Sequence, residues 1–433
     1  MARKKQFQAI TGMADILPND QPLWKRIEET ITAMANFYDF SKISTPILEE
    51  EELFIKGTGE DTEVVEKQMY SFRTKGGEKV VLRPEFTPPI IRAYIENGMQ
   101  EWQKPVKLWT IGPLFRYEKP QKGRYRQFHQ FDFEVIGDET PITDALLIQL
   151  SLNILEKVGI KNWRLEINSI GCQECRPAFI RQLKKYYKEK EKQICPNCKK
   201  RLAKNPLRVL DCKEEKCQRV KKFAPQIVNY LCENCHKHFH SLLEYLDAAK
   251  ISYVLNPYLV RGLDYYEKTV FEVFPVEGES RQSALIGGGR YDKLIEELGG
   301  KPTAAIGFAG GVERLINEIK EEKINVLNQK TIEMFEGRPQ VFLIQLGEEA
   351  KKKALTLVEE FKNAGIKIGQ NLGKNNIKSQ LRLAAKANVK YSLILGQKEA
   401  LEGTIIIRNM ETGIQEIVPL KGIAKEIKKK LRA

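Results

Sequence analysis

Residues 106–137, VKLWTIGPLFRYEKPQKGRYRQFHQFDFEVIG, hold two apolar, aromatic-rich runs separated by a loop dense in cations. Runs of this composition form strands. The pattern predicts an antiparallel hairpin, VKLWTIGPLFRYE against RQFHQFDFEVIG. Its loop carries Lys119, Lys122, Arg124 and Arg126 around a proline and a glycine. Beyond the loop, Gln130, Asp132 and Glu134 are interspersed with Phe128, Phe131 and Val135. A glutamate inside the apolar run FDFEVIG fits a partly buried polar pocket better than an outward residue paired with a lysine. The fold must therefore accommodate a long hairpin with a polar row on it and a basic tip.

A chain of 433 residues exceeds one compact core, so two or three domains are expected. Charged residues at 30% and apolar ones at 42% describe a soluble globular protein, and no apolar run reaches the roughly 20 residues of a membrane span. The basic N-terminus lacks the apolar run of a signal peptide, which predicts a cytoplasmic protein. The net charge of +14 suits a polyanionic partner, nucleic acid rather than membrane, and composition alone equally allows a merely basic surface. From Glu336 onward, 19 Lys and Arg face 10 Glu and no Asp, so +9 of that charge lies in the last quarter.

Hydrophobic spacing predicts a helix in LWKRIEETITAMANFYDF and then a strand, SKISTPILEE, with Pro46 inside it. KVVLRPEFTPPIIRAYIENG reads as strand, turn and helix, and DALLIQLSLNILEKVG as a periodic helix. Residues 172–245 change character: they hold every cysteine amid lysine-rich helical text, as an insertion with a small core of its own. SALIGGGRYDKLIEELGG and TAAIGFAGGVERLINEIKEE alternate strands, glycine turns and helices. The reading gives a first domain over 1–325 interrupted by that insertion, a linker over 326–338, and a compact α/β domain over 339–433.

Neither G-x-x-x-x-G-K-[ST] nor a strand-bound G-x-G-x-x-G occurs, which removes the P-loop and the dinucleotide fold as nucleotide sites. Four arginines beside glycines and aromatics remain: Arg116, Arg261 in LVRGLDYY, Arg290 in GGGRYD and Arg314 in GGVERL. Arginine grips phosphate oxygens in pairs and keeps its charge. Arg314 also falls in the first turn of a helix, where the dipole favours an anion.

These peptides carry a resemblance. FRYEKPQKGRYRQFHQFDFE resembles motif 2 of class II aminoacyl-tRNA synthetases in the form found in histidyl-tRNA synthetases. LVRGLDYY and GGGRYD resemble that family's two signature peptides, and AIGFAGGVERL its motif 3. FSKISTPILEE is similar to motif 1 and GMADILP to the N-terminal peptide. The resemblance implies an α+β chain: a catalytic domain with an antiparallel sheet flanked by helices, the cysteine-rich insertion, and a C-terminal α/β anticodon-binding domain. It implies a homodimer with motif 1 at the interface, acting on L-histidine, ATP with Mg²⁺, and tRNA(His). In that family, the residues at Arg116 and Arg261 contact the α-phosphate and the one at Arg314 the γ-phosphate. Glu85, Thr87 and Gln130 are placed around the histidine α-amino group, with Phe86 where the family usually has glycine. Glu134 and Tyr266 fall at the imidazole, and Tyr265 and Tyr291 line the pocket. Lys119, Gln121 and Arg124 correspond to contacts with the tRNA acceptor end. RPEFTPP is also similar to the regulatory subunit of ATP phosphoribosyltransferase, a non-catalytic relative. That relative lacks the C-terminal domain and loses the signature arginines, both of which this chain keeps. A regulatory or RNA-binding module is the alternative.

The cysteines are independent of that resemblance. Cys172/Cys175, Cys195/Cys198 and Cys232/Cys235 are C-x-x-C pairs, and Cys212/Cys217 form a looser fourth. A C-x-x-C turn is the natural half of a tetrahedral zinc site and needs a partner pair; the alternative is reduced thiols packing a small insertion. Eight thiols suit two four-cysteine structural sites, or one site with thiols left over, and His236, His238 or His240 could replace a thiol.

Overall fold

The computed structural model describes residues 7–120, 123–276, 284–321 and 339–432. After the first helix, Gln21–Phe37, the segment SKISTPILEE makes two short strands rather than one, β1 (Ser41–Lys42) and β2 (Leu48–Glu50). Pro46 lies between them, where a residue without an N–H cannot extend a ladder. The two halves go to different sheets. β2 joins β3 (Tyr70–Arg73) and β4 (Lys79–Leu82) in a small antiparallel sheet. β1 runs parallel to β5 (Val106–Phe115) at one edge of the main sheet.

That sheet has eight strands in the order β1-β5-β6-β11-β10-β9-β7-β8. Here β6 is Gln127–Ile136, β7 Trp163–Ser169, β8 Val254–Leu255, β9 Glu267–Pro275, β10 Ile286–Arg290 and β11 Ala305–Gly311. Among the described residues, only the edge pairs β1/β5 and β7/β8 of this sheet are parallel. β5 and β6 pair from Val106↔Ile136 to Phe115↔Gln127, which is the predicted hairpin. Alternation along β6 puts Gln130, Asp132 and Glu134 on one face. Across the ladder they meet Gly311, Ala309 and Gly307 of β11. A polar row thus borders a row of residues with almost no side chain, leaving a trough on that face.

The opposite face, with Phe131, Phe133 and Val135, packs into one apolar core with the helices Gln21–Phe37 and Pro141–Lys157. Pro141–Lys157 is buried along nearly its whole length. The helix Glu233–Ala248 packs against it, and Leu355 and Val358 of the helix Glu348–Asn363 belong to the same core. Such a helix needs no polar face.

The insertion lacks the separate core expected for it. Its Phe179, Leu183 and Tyr187 share a cluster with Phe86, Ile90 and Tyr265 of the surrounding domain. Leu242, near its end, joins the main core. A short lysine-rich segment has too few apolar residues to close a core alone.

The C-terminal strands β12 (Val341–Gln345), β13 (Ile368–Gln370), β14 (Tyr391–Leu395), β15 (Thr404–Asn409) and β16 (Gln415–Pro419) form a sheet ordered β13-β12-β14-β15-β16. Its first three strands are parallel, as helix crossovers require. It docks on Pro141–Lys157: Lys362 Nζ donates to Asn153 Oδ1 (2.8 Å), and Asn153 Nδ2 donates to Glu359 Oε2 (3.1 Å). The predicted linker over 326–338 lies outside the described residues. No described helix is long and apolar enough to cross a membrane.

Candidate active site

The trough on the main sheet opens into a cleft of about 430 Å³, within the range of small-molecule sites. One end is acidic. Glu134 is fully buried, and its carboxylate accepts from Thr87 Oγ1 (2.8 Å) and from the Tyr291 hydroxyl. Glu85 is buried beside it, accepting from Thr58 Oγ1 (2.7 Å) and Tyr265 OH (2.9 Å). Asp132 completes the group, and its Oδ1 is buried with no hydrogen-bond partner. Burial pushes the Glu134 carboxyl up to about 8, against the pull of Tyr291 and Thr87. Burial and the neighbouring Glu134 and Glu85 raise Asp132 well above the usual range. Three crowded carboxylates, with Arg116 and Arg261 in electrostatic reach of Glu85 and Arg116 and Arg83 in reach of Asp132, form a site for a ligand bearing N–H groups and positive charge.

The raised Glu134 has a consequence for stability. Between its ordinary value of 4.5 and about 8, the folded protein holds a proton that the unfolded chain has released. Stability of the ligand-free protein therefore falls as pH rises through that window. The thermal midpoint is expected to drop from pH 6 to pH 8.5. Glu134→Gln, which carries no titrating proton, should flatten the drop, and an unchanged slope would contradict this assignment.

The other end of the cleft is basic. Arg116 follows β5, with its Nε donating to Pro84 O (2.9 Å) and its guanidinium over the Phe128 ring at 5.4 Å. Arg314 stands in the first turn of the helix Val312–Glu321, Nη1 donating to Ala284 O (2.5 Å). Burial lowers its pKa, and the charges of Arg124 and Arg116 lower it further, so the three guanidiniums lie within electrostatic reach. Arg261 pairs with Glu272 of β9 and sits 5.5 Å above the Tyr266 ring. Burial acts against its charge, and Glu272 and Tyr266 together more than offset this. Its guanidinium lies directly on the backbone of Gly287, where a Cβ would overlap it. A Cβ at Gly307 would likewise overlap the Glu134 carboxylate. Both glycines are required by what lies above them, not by their φ angles.

Arg116, Arg261 and Arg314 thus line one cleft with Glu85, Thr87, Gln130, Tyr265 and Tyr266. Tyr291 acts behind it, through Glu134. Arg124 lines the cleft and donates to Glu118 Oε2 (3.4 Å), Lys119 is exposed on the loop, and Gln121 lies outside the described residues. Two readings need correction. Arg290 is no phosphate ligand: it is fully buried against Asp144 (2.7 Å), with Nη1 donating to Asp138 O and Nη2 to Thr140 O. Phe86 does not enter the pocket. Its ring packs in the apolar core with the Arg83 guanidinium at 4.5 Å, so the departure from glycine leaves the cleft intact. Asp132 and Thr58 were missed. Asp132 lies on the Gln130–Glu134 face and was readable from the strand period; Thr58 reaches Glu85 from a distant helix and left no local signal.

The eight cysteines form two groups, Cys172/Cys175/Cys232/Cys235 and Cys195/Cys198/Cys212/Cys217, each with its Sγ atoms within 4.8 Å of one another. Tetrahedral zinc with Zn–S bonds of about 2.3 Å separates its sulfurs by about 3.8 Å. Here Cys172–Cys175 are 3.7 Å, Cys172–Cys232 3.9 Å and Cys195–Cys212 3.8 Å apart, too far for disulfides. The donor sets therefore fit zinc. They contain no histidine: His238 is bound to Asp144 (2.8 Å), and His236 and His240 belong to neither group.

Comparison with known proteins agrees with this geometry. The histidyl-tRNA synthetase family profile matches residues 12–315, and the anticodon-binding domain profile matches residues 340–430. The chain is 45% identical over 426 residues to a histidine--tRNA ligase of Dehalococcoides mccartyi, covering 98% of this chain and 100% of that one. It is 42% identical to that of Desulfitobacterium hafniense, covering 98% and 99%. The apo histidyl-tRNA synthetase of S. aureus superposes with a TM-score of 0.61 at 33% identity, covering 98% of this chain and 100% of that one. The antiparallel sheet, its hairpin and the C-terminal α/β domain are those of a class II aminoacyl-tRNA synthetase. Within that class, the chain belongs to the histidyl-tRNA synthetase family.

Proposed function

We propose that this chain activates L-histidine with ATP and transfers it to the 3′ end of tRNA(His). One observation carries the reading: a single cleft is lined by three guanidiniums and by the buried carboxylates of Glu85 and Asp132, with the buried Glu134 behind them. The histidine carboxylate attacks the α-phosphorus in line, forming histidyl-adenylate and releasing pyrophosphate. Negative charge gathers on phosphoryl oxygens as it does so, and fixed cations lower that barrier more than a general base would. Arg116 and Arg261 hold the α-phosphate, and Arg314 the γ-phosphate. Glu85, Thr87, Gln130 and Asp132 hold the ammonium, while Glu134, with Tyr291 behind it and Tyr266 nearby, takes the imidazole N–H. Glu118 lines the cleft, and with phosphate oxygens and water it would hold Mg²⁺, which neutralises the outer phosphates.

The hairpin loop, with Lys119, Gln121 and Arg124, would meet the acceptor end of tRNA, phosphate contacts supplying most of the affinity. The C-terminal domain, with its +9 charge, would take the anticodon. The protein would act as a cytoplasmic homodimer with the residues around Pro46 at the interface. Zinc would occupy the two thiol groups in a structural role. The regulatory alternative is disfavoured by the joint presence of Arg116, Arg261 and Arg314 in one cleft. The test is ATP–pyrophosphate exchange by the purified protein. Exchange should appear with histidine and not with other amino acids. Folded protein giving none would leave only the binding reading.

A further inference from the structure

We propose that the Cys195/Cys198/Cys212/Cys217 group is a metal centre that holds a wall of the substrate cleft in place, and that Arg208 on that wall is an additional cation for substrate oxyanions. The inference rests on the activity proposed above and goes beyond the family's signature peptides, none of which reaches residues 195–217.

The first support is what holds this part of the chain together. The helix Pro196–Lys204 buries a single residue, Cys198, and Glu215–Lys221 buries only Cys217 and Val220. Helices this short are marginal without tertiary packing. Backbone groups already point at the sulfurs, Cys198 N–H to Cys195 Sγ (3.3 Å) and Cys195 N–H to Cys217 Sγ (3.2 Å). Four metal–thiolate bonds would make up for how little these two helices bury.

The second support is where the helix goes. It reaches both lips of the cleft. Arg201 pairs with Glu63, and Lys204 with Asp61 (3.1 Å) and Glu66 (3.0 Å). On the other lip, Asn205 Nδ2 donates to Asp264 Oδ1 (2.7 Å), three residues beyond Arg261. Each lip is tied to the chemistry: Gln68 O accepts from Tyr117 N–H (2.7 Å), next to Arg116, and Asp264 N–H donates to Thr58 O (3.1 Å), whose hydroxyl holds Glu85.

The third support is Arg208 itself. It is 6% exposed, lines the cleft, and its Nη1 is buried without a hydrogen-bond partner. That nitrogen stands against Gly262, 3.3 Å from where a Cβ would be. Asp264 lies within electrostatic reach of this guanidinium yet leaves Nη1 unspent, a donor that an anion in the cleft would complete. Phosphate oxygens of ATP or the carboxylate of histidine would provide one.

The experiment measures metal content by elemental analysis, ATP and histidine binding by calorimetry, and KM and kcat in exchange. It compares wild type with Cys198→Ser, Arg208→Ala and Arg208→Lys. Wild type should hold two zinc ions per chain and Cys198→Ser one, with new protease cleavage within 196–221. Cys198→Ser and Arg208→Ala should both weaken binding of one substrate about tenfold with a matching rise in KM, while Arg208→Ala keeps both metals and Arg208→Lys recovers part of the loss. A rise confined to ATP assigns the oxyanion to phosphate, and one confined to histidine assigns it to the carboxylate. Metal content that Cys198→Ser leaves unchanged, or substrate affinities within twofold of wild type in Arg208→Ala, overturns the proposal. Because binding and metal content are read without turnover, loss of exchange alone would strike only the enzymatic reading.

Discussion

Arg261→Ala is expected to lower histidine-dependent exchange by about 10³-fold while changing histidine affinity by no more than a few-fold. The size follows from removing one preorganised charge that meets the phosphoryl oxygens only as the transition state forms. Every contact of Arg261 serves to fix that charge before substrate arrives. Glu272 pairs with it, Tyr266 lies beneath it, and Gly287 gives it room. The histidine end of the cleft is built from Glu85, Asp132 and Glu134, so losing Arg261 should leave it standing. Parallel loss of exchange and histidine binding would show that Arg261 supports the pocket and does not act on phosphate. Arg261→Lys should recover little, because an ammonium cannot form the paired bonds of a guanidinium.

The largest effect on stability is expected at Asp144, in the first turn of Pro141–Lys157. Its carboxylate receives Arg290 Nε (2.8 Å), His238 Nε2 (2.8 Å) and Thr269 Oγ1 (2.6 Å), all in the interior. Burial alone would raise its pKa, yet Arg290 and His238 hold it down to about 2. Asp144→Ala takes from the buried Arg290 the carboxylate on its Nε and Nη2 and leaves it Asp292 on Nη1 (3.0 Å), and should cost about 2–3 kcal/mol in chemical denaturation. Asp144→Asn keeps the shape and loses the charge, so it should fall between the variant and wild type. A cost below about 1 kcal/mol for Asp144→Ala would mean that Asp292 alone compensates the Arg290 charge.

These two residues also mark what the sequence made legible. Arg261 and Arg290 look alike in one dimension, each an arginine beside glycine and tyrosine. What separates them is the partner. Arg290 is claimed by Asp144, 146 positions away, and no local pattern signals a pairing at that range. The hairpin was readable because its alternation is local and its two strands are adjacent in sequence. Asp132 was readable on the same ground, from its place between Gln130 and Glu134. Phe86 was misplaced because its neighbours in sequence line the pocket, whereas its ring packs with the core and meets Arg83, three residues earlier. The thiol pairs were visible as C-x-x-C turns, but their grouping depends on how the chain between them folds, which spacing does not determine.

The row of glycines on β10 and β11 gives this cleft an unusual kind of fragility. At positions 287 and 307 the working space is made by atoms that are missing. Most positions in a sheet can drift toward either bulkier or slimmer side chains, but these two stand at the end of the scale with nothing slimmer available. Even one added methyl would dislodge the charged group lying overhead. Chemical failure would thus come from substitutions that ordinary measures of hydrophobicity or strand preference rate as harmless.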